Sequence, residues 1–357
     1  MSIRKFVVSK DDSIYEAWPD VIQTDSGKLL CVFSECEQHA NRDNARLVIC
    51  ESSDRGRTWS DKKALTEKGT AEDFFNCARI SKLNDGTIAI ICDRVQGSPK
   101  NRKEQIANQY IWYSTDEGAT WSEPQILPFH GIVPDKLRQL KNGRLIVAAH
   151  FQNFETDKLE EYLWYSDDNG KSWSDRIILA SDSRYNLCEA AIIECENNTL
   201  VAFLRENSLE GYDMMKAISY DNGETWQGVY RTPIVSGHRA TVGFLNDGKV
   251  LMTYRFIPSN ALSNQNMFAS LLNEEELTET VRNKQRIRIF PIDYDRNPYP
   301  DTGYTGWTQF PDGEIYVVNY IKDDSDKAYI RGYSFHPEDI LLPQENSTSI
   351  GEYRETI

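Results

Sequence analysis

Counted from the polar turns of successive stretches of the chain, the same kinds of reactive side chain recur at the same offsets. Nine positions before the turn residues Asn198, Gly248 and Gly313 stand Glu189, Arg239 and Tyr304, and seven positions after them stand Arg205, Arg255 and Tyr320. If each turn closes a hairpin, Glu189 approaches Arg205, Arg239 approaches Arg255, and Tyr304 approaches Tyr320. The matching positions after the turns at Gly86 and Gly143 hold Asp93, with Arg94 beside it, and His150. Such a group has a definite chemistry. Guanidinium groups bind a carboxylate through paired, geometrically matched hydrogen bonds. Toward a substrate that carries a carboxylate at its reacting carbon, a carboxylate nucleophile is repelled, and a neutral tyrosine with a glutamate as its base is the better attacking group. Each residue also has a plainer use. A Glu–Arg pair across a hairpin can be a structural ion pair, Arg255 can be a solvated strand end, and His150 can be a satisfied structural histidine.

The elements that must position these residues repeat six times. Hairpin turns fall at Asp25-Ser26-Gly27, Asn84-Asp85-Gly86, Lys141-Asn142-Gly143, Glu196-Asn197-Asn198, Asn246-Asp247-Gly248 and Pro311-Asp312-Gly313. Their spacing of roughly 50 to 65 residues suits one four-stranded antiparallel sheet each. The clearest copy runs from Gly303 to Tyr320, with alternating apolar residues on both sides of its turn. Four units also carry Ser-x-Asp-x-Gly-x-x-Trp, first as Ser52-Ser53-Asp54-Arg55-Gly56-Arg57-Thr58-Trp59 and again at 114–121, 166–173 and 219–226. The Asp side chain can bond the amides of the turn, Gly takes a left-handed conformation, and Trp packs back on the sheet.

These four copies are similar to the Asp boxes of the sialidase-like β-propellers, which the chain resembles over nearly its whole length. The resemblance implies an all-β fold: a six-bladed β-propeller with four-stranded antiparallel blades and Asp-box turns. Asp boxes also occur in non-enzymatic propellers, so they speak for the fold and not for an activity. The sixth unit runs out after its third strand at Ala328–Tyr333, and Lys5-Phe6-Val7-Val8 is expected to supply the fourth and close the ring. Residues 1–342 are then one propeller, and the polar tail 343–357 is expected to lie loosely on the surface. An irregular insertion in the fifth unit, around Asn273–Thr278, has room for a turn or two of helix. In this topology both kinds of turn lie on one face of the disc, and the starts of the first strands and ends of the second strands lie on the other.

The resemblance extends to single residues. The stretch from Glu189 to Arg205 is similar to the sialidase segment in which a glutamate opens a first strand and an arginine of the carboxylate-binding triad ends the second. Gly303-Tyr304-Thr305, followed by Pro311-Asp312-Gly313, resembles the segment with the nucleophilic tyrosine. By that match Tyr304 is the nucleophile, Glu189 its base partner, and Arg205 one arginine that binds a sugar carboxylate. Two departures stand out. Where the family opens its first blade with Arg-Ile-Pro, this chain reads Ala17-Trp18-Pro19, and near Asn264-Gln265-Asn266 the third arginine is absent. Arg239 and Arg255 are candidates for the third, and Arg79 or Arg94 for the first. For the general acid, the first-blade loop offers His39, Arg42 and Asp43, and position favours Asp43.

The activity so implied is hydrolysis of an acidic, terminal sugar, with a carboxylate-bearing carbohydrate as the partner. Two alternatives stay open: a lyase acting on a uronic acid with Tyr304 or His150 as base, and a propeller that binds glycan or protein without turnover. No metal or organic cofactor is implied. A formal charge of −15 argues against nucleic acid as a partner. No apolar stretch is long enough for a membrane span, and the N-terminus carries no secretory pattern. With an odd number of cysteines, seven, the expected location is the cytoplasm.

Overall fold

The computed structural model describes residues 3–258 and 262–340; the tail 343–357 lies outside them. Six antiparallel sheets are present, each with four strands in spatial order, counting the interrupted inner strand of the second sheet as one. The first blade runs Tyr15–Gln23, Leu29–Cys36, Arg46–Ser52 and Lys63–Ala64. The fourth and fifth begin with Leu187–Glu194 and Leu200–Glu206, and with Gly237–Phe244 and Val250–Phe256. The sixth comprises Gly303–Gln309, Ile315–Ile321 and Tyr329–Phe335. Its fourth strand is Arg4–Ser9, which pairs antiparallel with Tyr329–Phe335. Arg4 adds an ion pair with Glu314, and Lys5 one with Asp293. The expected insertion in the fifth blade holds the short helix Glu275–Thr278.

Local chemistry accounts for the turns. Gly27, Gly86, Gly143, Gly248 and Gly313 have φ between 81 and 92°, and Asn198 stands at 60°. In the first Asp box the Asp54 carboxylate accepts from the Thr58 amide at 2.9 Å and the Thr58 hydroxyl at 2.6 Å, while Trp59 Nε1 donates to the Gly56 carbonyl. The other three boxes keep the Asp-to-Thr or Asp-to-Ser bonds. The two kinds of turn meet between blades: Ser26 donates to Glu117, Arg55 to Asp312, and Arg144 to Glu224. Both therefore lie on one face, and the strand ends discussed above lie on the other. Apolar side chains such as Leu30, Val32, Ile80 and Ile90 fill the space between blades.

The inner strands depart from a regular ladder at one shared place. In the fourth blade Cys188 pairs with Arg205 and Ala191 with Phe203, so Glu189 and Ala190 together oppose a single residue. The same bulge follows Ala17, His238 and Gly303. Its first residue is left-handed each time: Trp18 at 56°, Glu189 at 54°, Arg239 at 47° and Tyr304 at 51°, with Val133 of the third blade at 50°. Non-glycine residues in this conformation carry roughly 1–2 kcal/mol of strain each. A bulge re-aims its side chain out of the pleat, and here it turns Glu189, Arg239 and Tyr304 toward the middle of the ring. In the second blade the strand breaks there, into Asp73–Phe75 and Arg79–Lys82. In the third, only Arg138–Gln139 remains as a strand, and Pro134 at the bulge has no amide to donate.

Candidate active site

A cavity of about 830 Å³ opens on the face opposite the turns. Tyr304, Arg205 and Arg255 line it, together with Tyr15, His39, Gln265, Tyr299 and Asp301. The Tyr304 hydroxyl donates to Glu189 Oε1. Arg205 Nη1 donates to both oxygens of the same carboxylate, at 3.0 and 3.1 Å. The guanidinium of Arg255 lies 5.6 Å from the centre of the Tyr304 ring, and that of Arg239 lies 5.8 Å from it. The phenol is thus held between an acid and three guanidinium groups, as the offsets from the turns require.

The pairs form with one correction. Because of the bulge, the residues directly opposite Arg205, Arg255 and Tyr320 are Cys188, His238 and Gly303. Glu189 still reaches Arg205 from its turned position, and the Tyr304 and Tyr320 rings lie 6.3 Å apart. Arg239 stands one position past His238, the residue directly opposite Arg255. It is fully buried and donates to the Pro134 carbonyl at 2.8 Å.

Charge and burial oppose each other here. Burial pushes the Glu189 carboxyl up, but Arg205, Arg239 and His150, with the Tyr304 hydrogen bond, outweigh it and hold it far below the usual carboxylate range. Burial, and after it the Glu189 charge, pushes the Tyr304 phenol well above its ordinary value. The ground state is therefore a carboxylate accepting from a neutral phenol. His150 lies buried beneath, its Nδ1 accepting from the Glu189 amide at 3.4 Å. Burial first, with the Arg205 and Arg239 charges opposing the attraction of Glu189, pushes His150 down from 6.5 to about 4.

That shift has a measurable sign. Between pH 6.5 and about 4 the unfolded chain binds a proton at this imidazole that the folded chain refuses. Its contribution to stability is present above pH 6.5 and is lost as the pH falls through the folded value. His150→Asn should remove on the order of 3 kcal/mol from the acid sensitivity. Urea midpoints of both proteins at pH 7 and pH 4 measure this. Equal pH dependence in the two would mean that His150 takes its proton as readily in the folded chain as in the unfolded one.

Four other candidates do not join the cavity. Arg79 is buried at the centre of the ring, where it donates to the carbonyls of Pro19 and Thr305 and to the Thr241 hydroxyl. Asp93 is buried and accepts from Asn76 Nδ2 and the Cys77 amide, so it satisfies the broken strand of the second blade. Arg94 forms a two-pronged pair with Asp73, at 2.7 and 2.9 Å, in a separate cleft. Asp43 is exposed, and its carboxylate accepts from the Ala71 amide at 2.8 Å, which ties down its own loop.

The first blade supplies Trp18, nine positions before Gly27, and the structure adds residues that the offsets from the turns do not reach. Trp18 fills the first blade's bulge, with the Arg42 guanidinium 3.7 Å above its ring. Gln265 lines the cavity from the segment where the resemblance expects the third arginine, and donates to the Pro300 carbonyl. Asp301 and Tyr15 meet His39 at the cavity wall. Asp301 stands three residues before Tyr304, and Tyr15 three before Trp18, but nothing in a sequence tells which loop ends converge.

Comparison with known proteins agrees with this architecture. Residues 80–288 match the BNR repeat-like domain family. A sialidase of Clostridium perfringens is 31% identical over 216 residues, which cover 51% of this chain and 56% of that protein. An anhydrosialidase of Macrobdella decora is 25% identical over 266 residues, covering 66% of this chain and 32% of its own length. The chain thus spans about a third to a half of these relatives. Among solved structures, a protein of unknown function from Dyadobacter fermentans superposes with a TM-score of 0.78 at 22% identity, covering 93% of this chain and 98% of that one. An intramolecular trans-sialidase from Ruminococcus gnavus does so with a TM-score of 0.69 at 15% identity, covering 95 and 98%. Four Asp boxes, six blades and a matched segment of more than half its length identify this chain as a member of the BNR repeat-like domain family, a sialidase-like β-propeller.

Proposed function

We propose that this protein is a sialidase-type glycoside hydrolase that removes a terminal sugar bearing a carboxylate beside its anomeric carbon. The observation that carries the reading is the buried contact of the Tyr304 hydroxyl with a Glu189 carboxylate clamped by Arg205, at the wall of an open cavity. A phenol donating to an ionised carboxylate has an acceptor already in place for the proton it gives up as it attacks. Arg205 uses Nη1 for Glu189, its Nη2 has no hydrogen bond among the described residues, and Arg255 lines the same cavity. Together they offer a sugar carboxylate two cations in a chain whose net charge is −15. The names of the relatives, sialidase and anhydrosialidase, support the same class.

Tyr304 Oη bonds to the anomeric carbon while its proton passes to Glu189, and the leaving oxygen departs with a proton from a general acid. Water then attacks the same carbon, the tyrosyl bond breaks, and Glu189 returns the proton to Tyr304. Two displacements at one centre retain the anomeric configuration. The test is a panel of alkyl and aryl sialosides and uronides, followed by release of the free sugar. Turnover of a sialoside supports the proposal. A product absorbing in the ultraviolet would instead assign a uronide lyase, and binding without turnover would leave a lectin-like propeller.

A further inference from the structure

The cavity holds a second polar cluster that the steps above leave without a role. His39, from the loop after Leu29–Cys36, places Nδ1 2.8 Å from Asp301 Oδ2. The Tyr15 hydroxyl donates to the same oxygen at 2.5 Å and stands 3.2 Å from that ring nitrogen. The Tyr320 hydroxyl donates to Asp301 Oδ1 at 3.0 Å. Trp18 packs edge-on against the imidazole, with the ring centres 5.3 Å apart. Burial pushes the Asp301 carboxyl up, but His39, Tyr15 and Arg255 outweigh it and hold it below the usual carboxylate range.

An anion against Nδ1 keeps the hydrogen on that nitrogen and makes Nε2 the one that exchanges protons. Nε2 has no partner among the described residues, and the side chain is 48% exposed where it lines the cavity. A ring fixed at one nitrogen and free to exchange a proton at the other is what protonation of a leaving group needs. The neighbouring groups are poorly suited to the task. Asp301 is ionised and has no proton to give, burial pushes the Tyr15 and Tyr320 phenols far above their ordinary values, and Lys327 Nζ is engaged by the Glu37 carbonyl.

We propose that His39 is the general acid of this site, with Asp301 and Tyr15 as its positioning residues; the inference rests on the hydrolase reading above. As Tyr304 bonds to the anomeric carbon, the bond to the leaving oxygen breaks and both of its electrons stay on that oxygen. The oxygen takes the proton of His39 Nε2, which leaves a neutral imidazole still donating from Nδ1 to Asp301. In the second displacement Nε2 takes a proton from the attacking water, so the cycle consumes one water and restores every group.

The experiment compares an alkyl sialoside with a nitrophenyl sialoside, whose leaving group departs without a proton. His39→Ala should lower kcat on the alkyl substrate by about 10²–10⁴-fold and on the nitrophenyl substrate by about tenfold or less. Asp301→Asn should give the same split in smaller measure, with KM unchanged. Thermal melting, with His39→Gln as a second variant, separates these losses from misfolding. An equal loss on both substrates, or none on either, overturns the acid assignment while the hydrolase reading stands. A wild-type chain that cleaves neither substrate removes both.

Discussion

Tyr304→Phe should lose sialoside hydrolysis by about 10³-fold or more in kcat while keeping its fold, because it deletes the oxygen that, in the mechanism we propose, bonds to the anomeric carbon. The ring stays, with the Arg239 and Arg255 guanidinium groups beside its face. Glu189 stays paired with Arg205. What goes is one hydrogen bond to a charged acceptor, worth about 2 kcal/mol of stability. Phe also occupies the left-handed bulge position at 51° no less comfortably than Tyr. Initial rates and a melting curve on the same preparation are the measurement. Full activity in the variant ends the nucleophile assignment, whereas a collapsed melting temperature would assign Tyr304 to the core instead. Rapid quenching of the wild type with an activated aryl substrate should add one glycosyl mass to the peptide containing Tyr304.

Arg205→Ala should be felt in binding, in pH dependence and in stability together. Its guanidinium is the group that does most to hold the Glu189 carboxyl down against burial. Loss of its contact to Glu189, and of the substrate contact we propose, should raise KM by about 10²-fold, as expected for 2–5 kcal/mol at a desolvated charge pair. With Arg205 gone, burial pushes the Glu189 carboxyl upward. In the proposed mechanism Glu189 must be ionised to take the Tyr304 proton, so activity should be lost as the pH falls through its value. The acid limb of kcat should therefore lie at higher pH in the variant than in the wild type. The buried carboxylate left without its partner should also lower stability by roughly 3–5 kcal/mol. Arg205→Lys separates the effects, because it keeps the charge without the planar fork. It should restore most of the acid limb and little of the KM. A variant whose KM and acid limb both match the wild type would make Arg205 a purely structural partner.

These predictions draw on two layers of information. The six hairpins, the four Asp boxes and the closing N-terminal strand were legible in the sequence, because the physics that sets them acts over a few residues. A glycine or asparagine accepts positive φ, an aspartate bonds amides up to four positions ahead, and alternation sets which face is apolar. The family resemblance at Glu189, Arg205 and Tyr304 was equally readable, since offsets within one hairpin fix which ends meet. Only the folded ring decided the rest. The left-handed bulge moved Glu189, Arg239 and Tyr304 out of direct pairing, and Arg239 donates inward to the Pro134 carbonyl. Arg79, Asp93, Arg94 and Asp43 are bound to partners in neighbouring strands and loops, and their spacing from a turn carries no trace of those partners. The contact of His39 with Asp301 joins loops 262 positions apart. Closure of the ring brings them together, and no local pattern encodes a distance of that kind.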